Sequence, residues 1–507
     1  MASVGDAAAS LADAAAEVEC AYAVAVEYLR RGVGLTPEWA PCTEIMSIST
    51  FNEASDAPCE RPTLSDDGRY VAFDGDATPF APGVVTGDDQ VFVRDRRFGR
   101  TALMSIAPDG SPGDDDSKNA AISGDGRHVV FETIARNLTE RFSFTTYVVV
   151  HDRDPDENGF FDEDGLTANF LVSRTPTGIA SNGSFPAINR GGGGIDSGRF
   201  IAFRATGANI VGMSILAEQI YVYDRDLDRD GVFDETDPGE TGFAWVSESQ
   251  TGIFSAFSTA TYPAISGDGR YVTYHSNRDD LLAEGEDTNG TFDVFIRDRD
   301  TDEDGVFDEP GTVATLRANL STGGDEADRS GLWASISDTG RFVAFHSNAT
   351  NLDPACSGES LQMYIRDRDT DDDGNFDEPG AVETRCISVN ASGIEGNDEC
   401  AWGRISPDGR FIAYTSLATN LVPGDTNGKR DIFLYDRIAD TTTLVSVRND
   451  GALATADSGG VVRFPDVVSI PEGPVVAFQS LDNLLTTADH NGFGDVFVRD
   501  FDATTLP

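Results

Sequence analysis

Four ten-residue stretches of one design carry the most specific chemistry in the chain: DPDENGFFDE from 154, DLDRDGVFDE from 226, DTDEDGVFDE from 300 and DTDDDGNFDE from 369. Each fits D-x-D-x-[DN]-G-x-x-D-E. Alternate carboxylates on a tight loop converge on one point, and glycine permits the sharp bend. A hard cation that takes roughly six to eight oxygens, calcium above all, suits such a cage. Positions one, three, five and nine would offer side-chain oxygen, and position seven its backbone carbonyl. The expected ligand sets are Asp154, Asp156, Asn158, Phe160 and Asp162; Asp226, Asp228, Asp230, Val232 and Asp234; Asp300, Asp302, Asp304, Val306 and Asp308; and Asp369, Asp371, Asp373, Asn375 and Asp377. The phenylalanine at position eight (Phe161, Phe233, Phe307, Phe376) is expected to tuck each loop against its own sheet. An EF-hand would need an acid at position twelve, where only the second loop has one, Asp237; the others have Gly165, Gly311 and Gly380. Clustered like charges repel without a cation, so calcium here is expected to be structural. Catalytic zinc or magnesium would need an open, differently built site. The alternative is an acidic hairpin tip held by Asx turns.

Other candidates are weaker. DTNGTFD from 287, DTNGKRD from 425 and DHNGFGD from 489 place Asp287, Asn289 and Asp293, then Asp425, Asn427 and Asp431, then Asp489, Asn491 and Asp495, at a spacing that would hold a cation. An Asx turn entering a strand is the preferred reading there. His275 and His346 stand at matching places in TYHSN and AFHSN, as a two-histidine metal or base site would. Asp74, Glu132, Arg204, Thr415 and Gln479 fill the same column elsewhere, which favours a polar column between repeats and no catalytic residues. No G-x-S-x-G elbow is present. Of the six cysteines, Cys42 and Cys59 flank one strand, and Cys356 and Cys400 would share one loop face; both pairs are expected to bridge, with free buried thiols as the alternative.

These residues are positioned by a repeat. TLSDDGRYVAF from 63, AISGDGRHVVF from 121, a diverged GIDSGRFIAF from 194, AISGDGRYVTY from 264, SISDTGRFVAF from 335, RISPDGRFIAY from 404 and SIPEGPVVAF from 469 each read as strand, Asp/Gly turn, strand. A third strand follows in each repeat, from QVFVRDR at 90 to DVFVRDF at 495. Most repeats add a fourth, such as LVSR at 171 and LVSV at 444. The strand-ending aspartates Asp95, Asp152, Asp224, Asp298, Asp367, Asp436 and Asp500 recur with or without an acidic loop, so they are read as turn caps rather than metal ligands. The pattern predicts an all-β chain, a seven-bladed β-propeller of four-stranded antiparallel blades over 42–507. The last repeat lacks room for its fourth strand, and the stretch 44–50, EIMSIST, is expected to complete it as a latch. Over 1–41, apolar residues at three-to-four spacing predict one short helix, packed on the rim or serving as a connector.

The S-x-D-G-R-[YF]-[VI]-A-[FY] phrase followed by D-[VI]-F-[VIL]-[RY]-D-R resembles the TolB-type, WD40-like propeller repeat called PD40, over about 44–507. The acidic loops resemble the calcium-binding hairpins of integrin α-subunit propellers. The resemblance implies the fold; for function it implies only that such propellers serve as binding platforms, protease gates or lyase scaffolds.

Composition narrows the partners. With 37 basic and 87 acidic residues the formal charge is −50, which repels nucleic acid and anionic membrane. No stretch is long and apolar enough for a spanning helix, and the first residues lack the pattern of a secretion signal. Disulfides and calcium loops point to the cell surface or outside the cell. The expectation is a non-enzymatic, calcium-stabilised platform that binds a protein or glycan on the face opposite the acidic loops. The alternatives are a polysaccharide-degrading lyase or hydrolase using the His275 and His346 region, and a structural subunit of a surface assembly joined through the 1–41 segment.

Overall fold

The computed structural model describes residues 42–502 apart from 82, 85–86, 164, 192–195, 207–209, 212–216, 236, 238, 250–258 and 461–463. The helix expected over 1–41 lies outside the described residues.

Among the described residues, twenty-eight strands form seven four-stranded antiparallel sheets. An N-terminal strand, β1(Cys42–Ile45), precedes blade one, β2(Cys59–Leu64), β3(Tyr70–Gly75), β4(Gln90–Asp95) and β5(Arg100–Leu103). Blade two is β6(Ser117–Ile122), β7(His128–Thr133), β8(Tyr147–Asp152) and β9(Ala168–Leu171), and blade three is β10(Ser184–Ile188), β11(Phe200–Thr206), β12(Glu218–Asp224) and β13(Gly242–Trp245). Blade four is β14(Ala260–Ile265), β15(Tyr271–Ser276), β16(Asp293–Asp298) and β17(Ala314–Arg317), and blade five is β18(Gly331–Ile336), β19(Phe342–Ser347), β20(Gln362–Asp367) and β21(Glu383–Cys386). Blade six is β22(Cys400–Ile405), β23(Phe411–Ser416), β24(Asp431–Asp436) and β25(Thr441–Leu444), followed by β26(Asp466–Ile470), β27(Gly473–Ser480) and β28(Asp495–Asp500). The molecule is a seven-bladed β-propeller. The second and third strands of each blade are buried on both faces, which is why YVAF and VFV-type runs are continuously apolar. The core lies between blades: Val91 and Tyr70 of blade one pack with Val129 and Ile122 of blade two, and comparable clusters recur around the ring.

Blade seven takes its outer strand from the start of the propeller. β1 pairs antiparallel with β28, from Cys42 opposite Asp500 to Ile45 opposite Phe497. The latch is thus earlier and shorter than 44–50. Beyond Met46 the chain turns back on itself, with Ile48 bridging Ala54, because Ser47 sends its hydroxyl to Asp495 and leaves the ladder. The fourth strands also lie earlier than LVSR and LVSV suggest, over Ala168–Leu171 and Thr441–Leu444. There Ser173 and Ser446 replace strand pairing with side-chain bonds, accepting the N–H of Val148 and of Ile432.

The cysteine pairing expected from sequence is corrected. Cys356 bridges Cys386, not Cys400, and Cys42 is disulfide-bonded but not to Cys59; Cys59 and Cys400 are free and buried. Burial pushes the Cys400 thiol up to about 12.

Candidate metal loops and a central well

Each acidic loop links the third and fourth strands of blades two to five. Position one is buried and organises the turn: Asp154 accepts the N–H groups of Asn158 and Gly159 (3.1 and 2.9 Å), and Asp226, Asp300 and Asp369 do the same in their loops. Position five then accepts the N–H of position seven, as Asn158 does from Phe160 at 2.8 Å. Positions four and nine lie at positive φ in all four loops, near 60°. The carboxylates of positions one, three and five converge: Asp226, Asp228 and Asp230, then Asp300, Asp302 and Asp304, then Asp369, Asp371 and Asp373, have oxygens within 4.8 Å of one another. Burial together with the neighbouring Asp304 raises the Asp302 carboxyl, as expected where negative groups crowd. The donor set, all oxygen and mostly anionic, fits a hard cation.

Position nine is not gathered with them. Asp162, Asp234, Asp308 and Asp377 each pair with the arginine immediately before the loop, Arg153, Arg225, Arg299 and Arg368, at 2.6, 2.6, 2.6 and 2.8 Å. These arginines are almost wholly buried, and each donates a further bond to the carbonyl of the D-G-R-type glycine of its own blade (Gly126, Gly198, Gly269, Gly340) at 2.6 to 2.7 Å. The Arg299 guanidinium lies between Phe307 of its own loop (4.9 Å) and Phe200 of blade three (5.0 Å); Arg153 sits likewise between Phe161 and Tyr70, and Arg368 between Phe376 and Tyr271. The position-eight phenylalanines therefore reach the preceding blade rather than tucking only against their own. The turn glycines are held by the same packing: a Cβ on Gly269, at φ +79°, would come within 2.1 Å of the Phe200 ring.

The strand-ending aspartates behave as turn caps. Asp152 receives Arg127 through both oxygens at 2.8 Å and the N–H of Asp154; burial works against the charge, but bonds from His128 and Arg127 prevail and hold its carboxyl far below the usual range. The same pairing joins Arg199 to Asp224 and Arg270 to Asp298. Arg127 and Arg270 also reach Glu157 and Glu303 in the acidic loops, so turns and loops share one end of the propeller.

The opposite side of the structure holds a feature the sequence reading missed. In the innermost strand of six blades one residue bulges at positive φ: Arg61, Asn119, Phe185, Tyr262, Trp333 and Trp402, each where the register with the second strand shifts. Four are aromatic and form an arc around the central channel, with Phe185 4.3 Å from Tyr262, Tyr262 5.3 Å from Trp333, and Trp333 6.4 Å from Trp402. Phe185, Tyr262 and Trp333, with Ala, Pro and Ile side chains and the polar Arg61, Asn119 and Arg404, line a cavity of about 170 Å³. Arg190 spans the channel at the turn end, bonding Leu64 and Asp66 of blade one and Asp466 of blade seven (2.8 Å). The signal was available two residues ahead of the repeat phrase in five blades, a column that is aromatic in three of them, Tyr262, Trp333 and Trp402.

His275 and His346 occupy matching places in adjacent blades, and each bonds the backbone of the blade that follows. Each Nδ1 accepts the backbone N–H of the next blade's bulge, Trp333 and Trp402, at 3.2 Å, and Glu132 serves Phe185 the same way. Burial pushes both imidazoles down to about 3, so they are neutral acceptors. Through these bonds each of the three side chains ties its blade to the next.

In the loops that open the third strands of blades four, six and seven, the asparagines make the expected Asx turns, accepting the N–H groups of Thr291, Lys429 and Phe493 at 2.8 to 2.9 Å. Each loop also sets its first aspartate near the one that starts the strand. Burial pushes Asp495 up to about 7, with Asp489 adding to it.

No family model and no curated protein matches this chain. Solved structures do. The β-propeller domain of the Trilobed protease from Pyrococcus furiosus is 10% identical, with a TM-score of 0.46 over 88% of this chain and 96% of that one. An oligogalacturonate lyase in complex with manganese is 10% identical, with a TM-score of 0.46 over 92% and 99%. A putative TolB from Agrobacterium tumefaciens is 13% identical, with a TM-score of 0.33 over 69% and 89%. The fold of this chain stands on its own seven paired sheets.

Proposed function

We propose that this chain is a non-enzymatic binding platform that works at the cell surface or outside the cell, stabilised by calcium in its four acidic loops, and that of the two ligand classes, protein and glycan, it takes a glycan. The observation that carries this reading is the aromatic arc of Phe185, Tyr262 and Trp333, continued by Trp402, whose first three rings line a small well. Aromatic faces with a few polar groups set among them, here Asn119, Arg61 and Arg404, are how a concave site recognises a ring with an apolar face and a hydroxylated edge. A well of this volume suits one or two sugar rings rather than a folded protein surface. The buried, neutral histidines speak against the lyase or hydrolase reading. The Cys356–Cys386 bridge and the bonded Cys42 support an oxidising location.

The test is a panel of neutral and acidic oligosaccharides titrated against tryptophan fluorescence, with Trp333→Ala alongside. Binding by at least one glycan that weakens roughly tenfold or more in the variant is the expected result, about 1.4 kcal/mol or more. Binding that ignores the variant, or no glycan binding with capture of a protein partner on the same face, overturns it. Calcium in the loops is tested by thermal unfolding with calcium and then chelator, where a ligand far above its dissociation constant adds several kcal/mol.

A further inference from the structure

The repeats supply an internal comparison for the loop that opens the third strand. In blades one, three and five a neutral amide stands at the first or second position of that strand, Gln90, Gln219 or Gln362, and accepts a serine hydroxyl from beyond the fourth strand at 2.6 to 2.7 Å. In blades four, six and seven the strand begins with a wholly buried aspartate, Asp293, Asp431 or Asp495, and a D-x-N-G loop brings a second carboxylate beside it. Blade four neutralises that pair from within. Arg317, at the end of β17, places its guanidinium 3.6 Å from Asp287, 3.8 Å from Asp293 and 2.5 Å from Glu326.

The register fixes what stands at that place elsewhere. Arg317 lies opposite Phe295, Leu444 lies opposite Phe433 in blade six, and Ile45 of the latch strand lies opposite Phe497 in blade seven. Blade six satisfies Asp431 with Ser446 and Asn427, and only Oδ1 of the neighbouring Asp425 lies buried without a partner. Blade seven does not go that far. Asp489 and Asp495 are 1% and 0% exposed and in mutual contact, Ser47 serves one oxygen of Asp495, and the Oδ2 atoms of both aspartates lie buried with no hydrogen-bond partner. A pair of buried carboxylates without a compensating cation is strongly unfavourable.

We propose that Asp489 and Asp495, with oxygens of the 489–495 loop, bind a calcium ion in blade seven, the ion taking the place that the Arg317 guanidinium takes in blade four. This site lies at the opposite end of the propeller from the acidic loops and stands apart from the reading of those loops. It also touches the latch, since Ser47 lies two residues past the end of β1, so the ion would tie the two ends of the ring together.

The test counts calcium by equilibrium dialysis and isothermal titration on the full chain. The background carries Asp156→Ala, Asp228→Ala, Asp302→Ala and Asp371→Ala, which removes the position-three carboxylate of every acidic loop. One remaining calcium per chain is expected, lost in Asp489→Asn and lost equally in Ile45→Arg, which supplies the guanidinium of blade four. Because Ile45→Arg sits in a packed strand, Asp489→Asn carries the count if that variant fails to fold. No calcium bound in the background, or one ion that persists in folded Asp489→Asn, overturns the site. Failure of the acidic loops alone would show instead as wild type and background binding the same single ion.

Discussion

Asp228 and Asp234 stand six residues apart in one acidic loop, yet the structure gives them separate work, and replacing each with alanine separates it. Asp234 is 1% exposed and receives both Nε and Nη2 of Arg225, itself fully buried, at 2.8 and 2.6 Å, plus the Tyr223 hydroxyl at 3.0 Å. Removing one member of a buried ion pair leaves the other charge uncompensated, which costs about 3–5 kcal/mol. Asp234→Ala should therefore lose that amount with or without calcium. For a chain of this length that is roughly 3–10 °C of melting temperature, extending the trend that each kcal/mol moves larger domains less. Asp228 is exposed and crowded by Asp226 and Asp230. Asp228→Ala should match wild type within about 0.5 kcal/mol in excess chelator, as exposed substitutions do. In calcium it should lose part of the stabilisation that wild type gains. The assay is guanidinium unfolding followed by tryptophan fluorescence, for three proteins in calcium and in chelator. If Asp234→Ala falls within about 1 kcal/mol of wild type in chelator, the arginine pairing does not hold the loop. If Asp234→Ala alone abolishes the calcium response while leaving the chelated protein intact, position nine is a metal ligand after all.

Further tests follow from the same geometry. Gly269→Ala, which would thrust a methyl into the Phe200 ring at a left-handed backbone position, should cost several kcal/mol; Gly311→Ala, also at positive φ but with open space around it, should cost only about 1. Both are read from denaturation midpoints. His275 and His346 are held neutral, with folded values depressed to about 3 against 6.5 unfolded, so their contribution is complete above pH 6.5 and is lost as pH falls toward 3. His346→Gln should flatten the acid side of the stability profile between pH 6 and 4 by up to about 1.4 kcal/mol per pH unit, and an unchanged slope would show that the imidazole is not buried neutral. Reducing the Cys356–Cys386 bridge, which closes a separation of 30 residues, should cost about 3.5 kcal/mol in unfolding free energy, while Cys59 and Cys400 should stay unreactive to a thiol reagent until the chain unfolds.

The seven-fold repeat was legible because its determinants are local. A D-G-R turn announces itself by glycine and a paired aspartate, and the strands by their apolar runs, so blade number and strand order follow from the text. What the text could not divide was the duty of identical letters. Asp226 and Asp234 read alike, and only the partner decides that one faces a loop of carboxylates while the other faces Arg225; the hint was the arginine that precedes every acidic loop. Cysteine pairing failed for a related reason, since Cys386 and Cys400 differ in distance from Cys356 only once blade five is folded. The aromatic arc was hidden because its residues bulge out of the two-residue alternation of a strand, and a column at Phe185, Tyr262, Trp333 and Trp402 looks like ordinary core until the φ values turn it toward the channel.

The borrowed outer strand of blade seven sets a schedule for synthesis. β1 is among the first parts of the propeller to leave the ribosome, but its partner β28 follows about 450 residues later. At roughly 5–20 residues per second that is on the order of half a minute to a minute and a half. Through that interval six blades can form in order, each packing on the one before, while the first blade's flank and the latch remain open. The nascent ring is therefore a growing arc with two adhesive ends. Anything that escorts it, whether a chaperone or a translocation channel, has to keep those ends apart from other chains until the last strand arrives.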